Sequence, residues 1–328
     1  MANLNRGTTD SGFGQEHEAF LALSSIKGVG YWTLHHIGRA GTPYSEVLGI
    51  DNGEEATAVL RRFGARVEAS NEWSALKDRG LERANEIIRE LVRRDSRLIL
   101  RADHLFPPRL LDLTDPPQWI FVEGNPVVLN SNCIAAVGTR EPTEEGLFLA
   151  QFVGANLRIW GAPTVSGLAN GIDQVIHRWS LRMEVPTIAV LGTGLALNYP
   201  KGSRDLREAI VKSGGAIVTE YLIHDTYSAE NFVRRNRLQA ALGNVLIPVE
   251  WALKSGTAHT VRFALTLHRP VACLLMNRPA GSERLNLPGT HTFEIPGEES
   301  EFRHFVTSAL SSVKPMSSPV QTDMFERR

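Results

Sequence analysis

Cysteine is scarce in this sequence: only Cys133 and Cys273 occur among 328 residues, and both lie in apolar runs. We therefore expect buried free thiols, not a disulfide framework or a metal site. We also expect no cofactor. A run of about 18 apolar residues is also lacking, so we expect no membrane span. The polar N-terminus lacks the apolar core of a secretory signal, which predicts a cytoplasmic protein.

Charge of one sign is not in excess either, since 35 basic residues face 36 acidic ones. Many nucleic-acid binders are basic overall, so this balance counts mildly against such a partner. Net charge does not describe how charges are distributed, and a local basic patch stays compatible with it. The apolar share of 42% is ordinary for a globular protein.

Hydrophobic periodicity divides the chain into segments of different character. They are a disordered N-terminus (1–14), a helical domain (15–95), an extended Rossmann-like domain (96–276), a segment that loses the pattern (277–312) and a flexible tail (313–328). Within the helical domain, a Gly-Val-Gly turn at 28–30 resembles a helix–hairpin–helix. Such a turn has two interpretations, a phosphate contact or a tight connection between helices.

The Rossmann-like segment alternates strands with helices, which predicts an α/β fold with a mostly parallel sheet covered on both faces. The expected core strands are Cys133–Val137, Pro163–Val165, Thr187–Leu191, Ala216–Thr219, Val245–Val249 and Val271–Leu275. Ligands of such sheets bind beyond the carboxyl ends of the strands. Five of the strands end in small or polar residues, so we expect five turns at one sheet edge.

Candidate phosphate-binding residues lie in those five turns. They are Gly138, Thr139, Arg140, Ser166, Gly167, Asn170, Gly192, Gly194, Lys201, Asn231, Phe232, Arg234, Arg235, Asn236, Arg237, Ser255 and Gly256. Glycine lets the backbone approach a phosphate, helix starts offer free N–H groups, and arginine adds charge. The three arginines open a predicted helix, where cations oppose the macrodipole, and this suggests an anion nearby.

Structural alternatives accompany these candidates. Phe232 is a stacking candidate or a core residue, Asn231 is a helix cap or a ligand contact, and Lys201 is a phosphate contact or a solvated side chain. Asp173 and His177 share a helix face, as an acid/base pair or as a helix-stabilising contact. Neither a G-x-x-x-x-G-K-[ST] loop nor a strict G-x-G-x-x-G follows a strand, which disfavours a P-loop enzyme and an ordinary dinucleotide site.

Several stretches, in this order, resemble the DprA (Smf) family of DNA-processing proteins. They are Asp115-Pro116-Pro117 through Gly124-Asn125, Val137 to Arg140, Ser166 to Asp173, Thr187 to Gly194 with Tyr199-Pro200, and Asn231 to Arg237. The resemblance implies an extended Rossmann fold, a homodimer, single-stranded DNA as ligand without strong sequence preference, and loading of a RecA-type recombinase. It implies no nucleotide-hydrolysing chemistry. It assigns DNA contacts to Arg140, Ser166, Gly167, Lys201 and Arg237, with Phe232 and Asn236 lining the pocket.

Departures from that family are visible. Ser203 stands where the family usually has Asn, and the chain diverges after Leu275. The winged-helix domain of many members has no visible counterpart in this sequence. A second hypothesis is a nucleotide sensor or a LOG-like nucleoside-monophosphate phosphoribohydrolase, with Glu220 or Glu250 as acid/base. The signature Pro-Gly-Gly-x-Gly-Thr of those enzymes is absent, so a non-catalytic binder is favoured.

The tail offers a separate hypothesis. Gln321, Asp323, Met324 and Phe325 resemble the short peptide by which replication proteins bind the bacterial sliding clamp. Two apolar anchors and a glutamine amide on a flexible tether suit a groove-binding peptide. An unremarkable tail is the alternative.

Overall fold

A computed structural model describes residues 13–68, 72–276 and 287–312. Five helices come first: α1 (Gln15–Ser24), α2 (Tyr31–Arg39), α3 (Tyr44–Gly49), α4 (Gly53–Arg62) and α5 (Trp73–Arg93). The Asn52 side chain caps α4 by accepting the N–H groups of Glu54 and Glu55. A cap of this kind satisfies N–H groups that have no partner inside the helix.

The turn between α1 and α2 needs glycine for a structural reason. Gly28 has a φ of +91°, and a Cβ added there would lie 2.2 Å from the Arg66 carbonyl oxygen. The Gly28 carbonyl also accepts the Arg66 N–H at 2.8 Å. Close approach of two backbone segments therefore accounts for Gly28, in line with the structural interpretation of this turn.

Seven strands form one sheet in the order β1-β2-β6-β5-β4-β3-β7. They are β1 (Ser96–Leu100), β2 (Trp119–Gly124), β3 (Cys133–Gly138), β4 (Thr164–Ser166), β5 (Thr187–Val190), β6 (Ala216–Thr219) and β7 (Gly243–Val249). Strands β3 to β7 are parallel, and β2 pairs antiparallel with both β1 and β6. The uniformly apolar β3 is buried along nearly its whole length, as a central parallel strand requires.

Helices follow the parallel strands and cover the sheet. They are α6 (Glu144–Trp160), α7 (Ile172–Arg182), α8 (Arg204–Lys212), α9 (Ala229–Leu242) and α10 (Gly256–Thr266), with short 3-10 helices at Pro108–Asp112, Pro126–Asn130 and Lys201–Ser203. The expected α/β fold with a mostly parallel sheet and a helical N-terminal region is therefore confirmed. No helix within 13–68, 72–276 or 287–312 is long and apolar enough to cross a membrane.

The helical region packs directly on the sheet. The Phe20 ring of α1 lies 4.8 Å from the Trp119 ring and 6.4 Å from the Phe121 ring, between ring centroids. All three side chains are almost completely buried. Burial of aromatic rings at this junction favours a fixed arrangement of the two parts, because each ring removes a large apolar area from water.

The segment after β8 (Ala272–Met276) has more regular structure than its sequence pattern indicated. Strand β9 (His291–Ile295) pairs parallel with β8, and α11 (Glu299–Ser311) follows. The Phe302 ring is buried against Phe152 of α6 at 5.7 Å. The expectation that the α/β pattern ends at residue 277 was therefore wrong, since a further strand and helix extend the same core.

Candidate functional site

The carboxyl ends of β3 to β7 meet at one sheet edge because all five strands are parallel. Turns after β3, β4 and β5 and the start of α9 enclose a small cavity of about 50 Å³. It is lined by Arg140, Gly167, Ala169, Asn170, Leu191, Gly192, Thr193, Tyr199, Pro200, Phe232 and Arg235. The cavity thus gathers side chains from turns that lie far apart in the sequence.

Arg140 is the exposed cation of this cavity. Its guanidinium carbon lies 5.4 Å from the centroid of the Phe232 ring, and no ion pair among the described residues includes it. Lys201 is also exposed and begins a short 3-10 helix directly after Pro200. Arg140 lines the cavity and Lys201 follows its wall residue Pro200, so both cations can bind an anion without first breaking an ion pair among the described residues.

Three aromatic rings stand beside Arg140. The Tyr199 ring lies 4.6 Å from the Tyr227 ring and 5.2 Å from the Phe232 ring. Tyr227 is 58% exposed, and Phe232 is only partly buried, so this is not a core position. Flat, partly exposed rings next to a cation suit a planar, negatively charged ligand such as a nucleotide.

Glycine is required at two points of the cavity wall. A Cβ on Gly167 would lie 2.4 Å from an Arg235 nitrogen, and one on Gly192 would lie 2.7 Å from the Phe232 ring. These positions therefore let α9 approach the turns after β4 and β5.

Arg235 holds two of the turns together. It is almost fully buried, and its guanidinium donates to the Gly167 carbonyl at 2.8 Å and to the Val190 carbonyl. Burial lowers the pKa of Arg235 to about 10, although the Asp173 carboxylate favours its charged form. Asn236 accepts from Arg235 and donates to the Gly256 carbonyl at 3.2 Å, which links the turn after β7 to α9.

Arg237 forms a buried ion pair with Glu220, the residue directly after β6. Two guanidinium nitrogens lie 2.6 Å from the two carboxylate oxygens, and both side chains are nearly inaccessible. Burial alone lowers the pKa of Arg237, but the charge and hydrogen bonds of Glu220, together with the charges of Tyr31 and Asp115, raise it overall. The Glu220 carboxylate therefore already occupies the position that a phosphate would take at Arg237.

Arg234 is engaged in the same region. Its guanidinium donates to Asp115 at 2.9 Å and to the Tyr31 hydroxyl at 3.0 Å. It also lies 4.2 Å from the Trp32 ring. Arg234 thus connects α9 to the start of α2 and to the segment before β2.

The arginines were expected to open a helix, and this placement was wrong. Helix α9 begins at Ala229, and the Ser228 side chain caps it by accepting the Asn231 N–H. Asn231 is therefore not the cap, and its carbonyl accepts the Tyr221 hydroxyl at 3.0 Å. The arginines lie in the second and third turns, where free N–H groups are no longer available to an anion.

The helix start after β3 is occupied as well. The Thr143 N–H donates to a Glu250 carboxylate oxygen at 2.9 Å, and the Thr143 hydroxyl accepts the Gly146 N–H. Thr139 N–H donates to the Glu250 carbonyl at 3.1 Å. An internal carboxylate therefore takes the anion position at the N-terminus of α6.

The remaining candidates lie in or near the turns but outside the cavity wall. The buried Ser166 hydroxyl donates to the Ala136 carbonyl at 2.7 Å. Gly194 donates its N–H to Asp225, Ser255 caps α10, and a Cβ on Gly138 would meet the Val249 carbonyl at 2.1 Å. The four tail residues, Gln321, Asp323, Met324 and Phe325, lie outside the described residues.

Asp173 and His177 are both buried below the turns. The Asp173 carboxylate accepts backbone N–H groups of Ala169 and Gly138, while burial raises its pKa. His177 Nδ1 lies 2.7 Å from the Thr187 hydroxyl, and burial lowers the pKa of His177 to about 3. These contacts support the structural interpretation of the pair.

The sequence reasoning missed Thr193, which lines the cavity, and Tyr227, whose ring packs against the lining residues Tyr199 and Phe232. Tyr227 lies in a polar loop five residues before Phe232, and an exposed aromatic residue in such a loop was the available signal. Thr193 is buried inside the Gly-Thr-Gly turn at 192–194, and it lines the cavity. Its position follows only from the fold of that turn.

The structure is therefore that of a Rossmann-like α/β protein with a cationic, aromatic-lined cavity among the strand-end turns of its sheet. The chain belongs to the family of DNA recombination-mediator protein A, whose model matches residues 97–292. This confirms the resemblance to DprA and Smf.

Two curated relatives illustrate the similarity. Protein Smf of Escherichia coli is 38% identical over 177 residues, which are 54% of this chain and 47% of that protein. Protein Smf of Synechocystis is 30% identical over 267 residues, which are 79% of this chain and 64% of that protein. The chain therefore spans less than two thirds of the length of either relative.

Solved structures of the same family are similar in fold. DNA processing protein A of Helicobacter pylori, whose structure concerns its single-stranded DNA binding mode, is 28% identical with a TM-score of 0.50. That similarity covers 58% of this chain and 82% of the other. DprA of Streptococcus pneumoniae has a TM-score of 0.60 at 22% identity and covers 90% of this chain and 93% of its own. The latter supports the fold alone.

Proposed function

We propose that this chain binds single-stranded DNA at the cavity on the carboxyl edge of its sheet, as a non-catalytic protein of DNA recombination, transformation or protection. The observation that carries the proposal is Arg140, an exposed guanidinium without an ion-pair partner among the described residues, lying over Phe232. A cation beside stacking rings is the combination that sequence-independent single-strand binders use. The related Helicobacter pylori protein, studied for its single-stranded DNA binding mode, supports the choice of ligand.

Within the cavity and beside it, we assign roles by accessibility. Arg140 and Lys201 contact phosphates, Asn170 and the backbone of Gly167 and Gly192 line the strand's path, and Phe232 supports a base. Arg235 and Asn236 keep the turns in place. Arg237 contributes by holding Glu220, so its role in DNA binding is indirect.

The enzymatic alternative is less well supported. Glu220 accepts hydrogen bonds from Arg237 and from the Tyr31 hydroxyl, and Glu250 accepts the Thr143 N–H. Both carboxylates are therefore engaged in ways that hinder proton transfer to a bound nucleotide. Release of free base from a nucleoside monophosphate on incubation with the protein would reverse this ranking.

Fluorescence anisotropy with labelled oligo-dT, duplex DNA and mononucleotides tests the proposal. We expect tight binding of the single strand, weaker binding of the duplex and little binding of mononucleotides. Arg140→Ala should weaken the binding of oligo-dT and of other single-stranded sequences by the same factor, because phosphate contacts carry no sequence information. Equal affinity of wild type and Arg140→Ala would reject this cavity as the DNA site.

Partners are a further part of the proposal. We propose a homodimer that loads a RecA-type recombinase and a tail that binds the sliding clamp through Gln321, Asp323, Met324 and Phe325. Sedimentation analysis tests the dimer, and strand-exchange assays with a recombinase test loading. Deletion of the last eight residues should abolish retention on immobilised clamp, and unchanged retention would refute the tail assignment.

A further inference from the structure

Trp32 presents its indole ring to solvent. It lies in the first turn of α2 and is 50% exposed, whereas Trp73, Trp119 and Trp251 are buried, and Trp160 and Trp179 are partly buried. An exposed indole offers a large, flat apolar face on which a planar ligand can stack. Neither the fold nor the cavity described above explains this exposure.

A guanidinium holds the ring in place. The Arg234 guanidinium carbon lies 4.2 Å from the Trp32 ring and 4.8 Å from the Tyr31 ring. Arg234 is itself fixed by Asp115 and by the Tyr31 hydroxyl. The indole is therefore preorganised, and the charge next to it is already balanced by a carboxylate.

Trp32 lies at the same sheet edge as the cavity. Its neighbour Tyr31 donates to Glu220, which directly follows β6, and β6 is adjacent to β5 at a strand spacing of about 4.8 Å. Arg234 and Phe232 are two residues apart on α9, so one helix carries contacts to both the Trp32 ring and the cavity. Single-stranded DNA that leaves the cavity and passes the end of β6 would therefore reach Trp32 next.

We propose that Trp32 is a stacking platform for a second base of the same single strand that occupies the cavity. This inference rests on the proposed function and extends it to the helical region. Base–aromatic stacking tolerates every sequence, because each base has a flat face. Since Arg234 is neutralised by Asp115, the platform contributes by stacking and not by a phosphate contact.

Affinity as a function of oligonucleotide length tests the platform. With oligo-dT from 4 to 16 nucleotides, we expect Trp32→Ala to match wild type on the shortest oligomer that binds and to bind the longer ones about tenfold more weakly. Trp32→Phe should retain most of the affinity, and Ile159→Ala, another exposed apolar residue on α6, should match wild type at all lengths.

Two further readouts separate stacking from other roles. Trp32→Ala should leave the slope of log affinity against log salt unchanged. Arg140→Ala should reduce the magnitude of that slope by the amount that corresponds to one phosphate contact. Long oligomers should quench the tryptophan fluorescence of wild type, and Trp32→Phe should lose most of that quenching.

Several results would overturn the platform. Equal affinity of Trp32→Ala and wild type at every length would do so, and so would an equal loss at every length, which would place the effect in the cavity. A change of oligomeric state without a change in DNA affinity would make Trp32 a protein contact. If no oligomer binds wild type, the proposed function itself fails, independently of Trp32.

Discussion

Removal of the Arg237 side chain should lower the free energy of unfolding, because Arg237 neutralises the buried Glu220. A residue that only contacted DNA would not affect the stability of the free protein in this way. Arg237→Ala leaves the Glu220 carboxylate buried without its two 2.6 Å contacts. Breaking a buried ion pair from one side typically costs about 3–5 kcal/mol. Glu220 keeps the Tyr31 hydroxyl at 2.7 Å and Arg234 at 3.6 Å, so we expect a loss near the lower limit, about 3 kcal/mol.

Urea denaturation followed by circular dichroism measures this loss as a shift of the midpoint at constant slope. The matched variant is Arg237→Met with Glu220→Gln, which removes both charges and keeps most of the volume. It should be more stable than Arg237→Ala, because no charge is left buried alone. Arg237→Ala with an unchanged midpoint but without single-strand binding would refute this reasoning and make Arg237 a direct phosphate contact.

Three other predictions concern the cavity and its support. Tyr227→Ala should weaken oligo-dT binding without changing the urea midpoint, since Tyr227 is 58% exposed, and a shifted midpoint would contradict this. Gly192→Val should abolish binding by pushing Phe232 out of place, and unchanged anisotropy would show that this contact is dispensable. His177 has a pKa of about 3 when folded and about 6.5 when unfolded, so wild type should lose about 2 kcal/mol between pH 7 and 5, a loss absent from the pH profile of His177→Gln.

The sheet could be predicted from the sequence because its strands are short, apolar and separated by helices. Ala216–Thr219 has the same bounds in the prediction and in the structure. Strand β9 and helix α11 were missed although α11 has the apolar spacing of Phe302, Val306 and Leu310 on one face. Because β9 was not recognised as a strand, the sequence directly after it was not searched for helical spacing.

The partners of the arginines could not be predicted from the sequence. Asp115 lies 119 residues before Arg234, and Tyr31 lies 203 residues before it. Only the packing of the helical region against the sheet brings these groups together. A sequence window shows the cations at 234–237, but not the buried carboxylate that neutralises Arg237.

That neutralisation predicts how binding should depend on salt. Arg234 faces Asp115, Arg235 faces Asp173 and Arg237 faces Glu220. Among the candidate phosphate contacts, Arg140 and Lys201 are therefore the cations without a carboxylate partner in the described part of the chain. Two phosphate contacts on a single strand give a slope of log affinity against log salt of about −1.4.

Titrations of oligo-dT at several salt concentrations measure this slope, with Lys201→Ala and Arg140→Ala each expected to lower its magnitude by about 0.7. Lys212→Ala is the matched control, because Lys212 is an exposed lysine on α8 that pairs with Glu208 and, unlike Lys201, does not follow a residue of the cavity wall. A slope of about −3.5 would correspond to five phosphate contacts. Such a slope would mean that DNA displaces the internal carboxylates from the α9 arginines, and the cavity would then be wider in the complex than in the free protein.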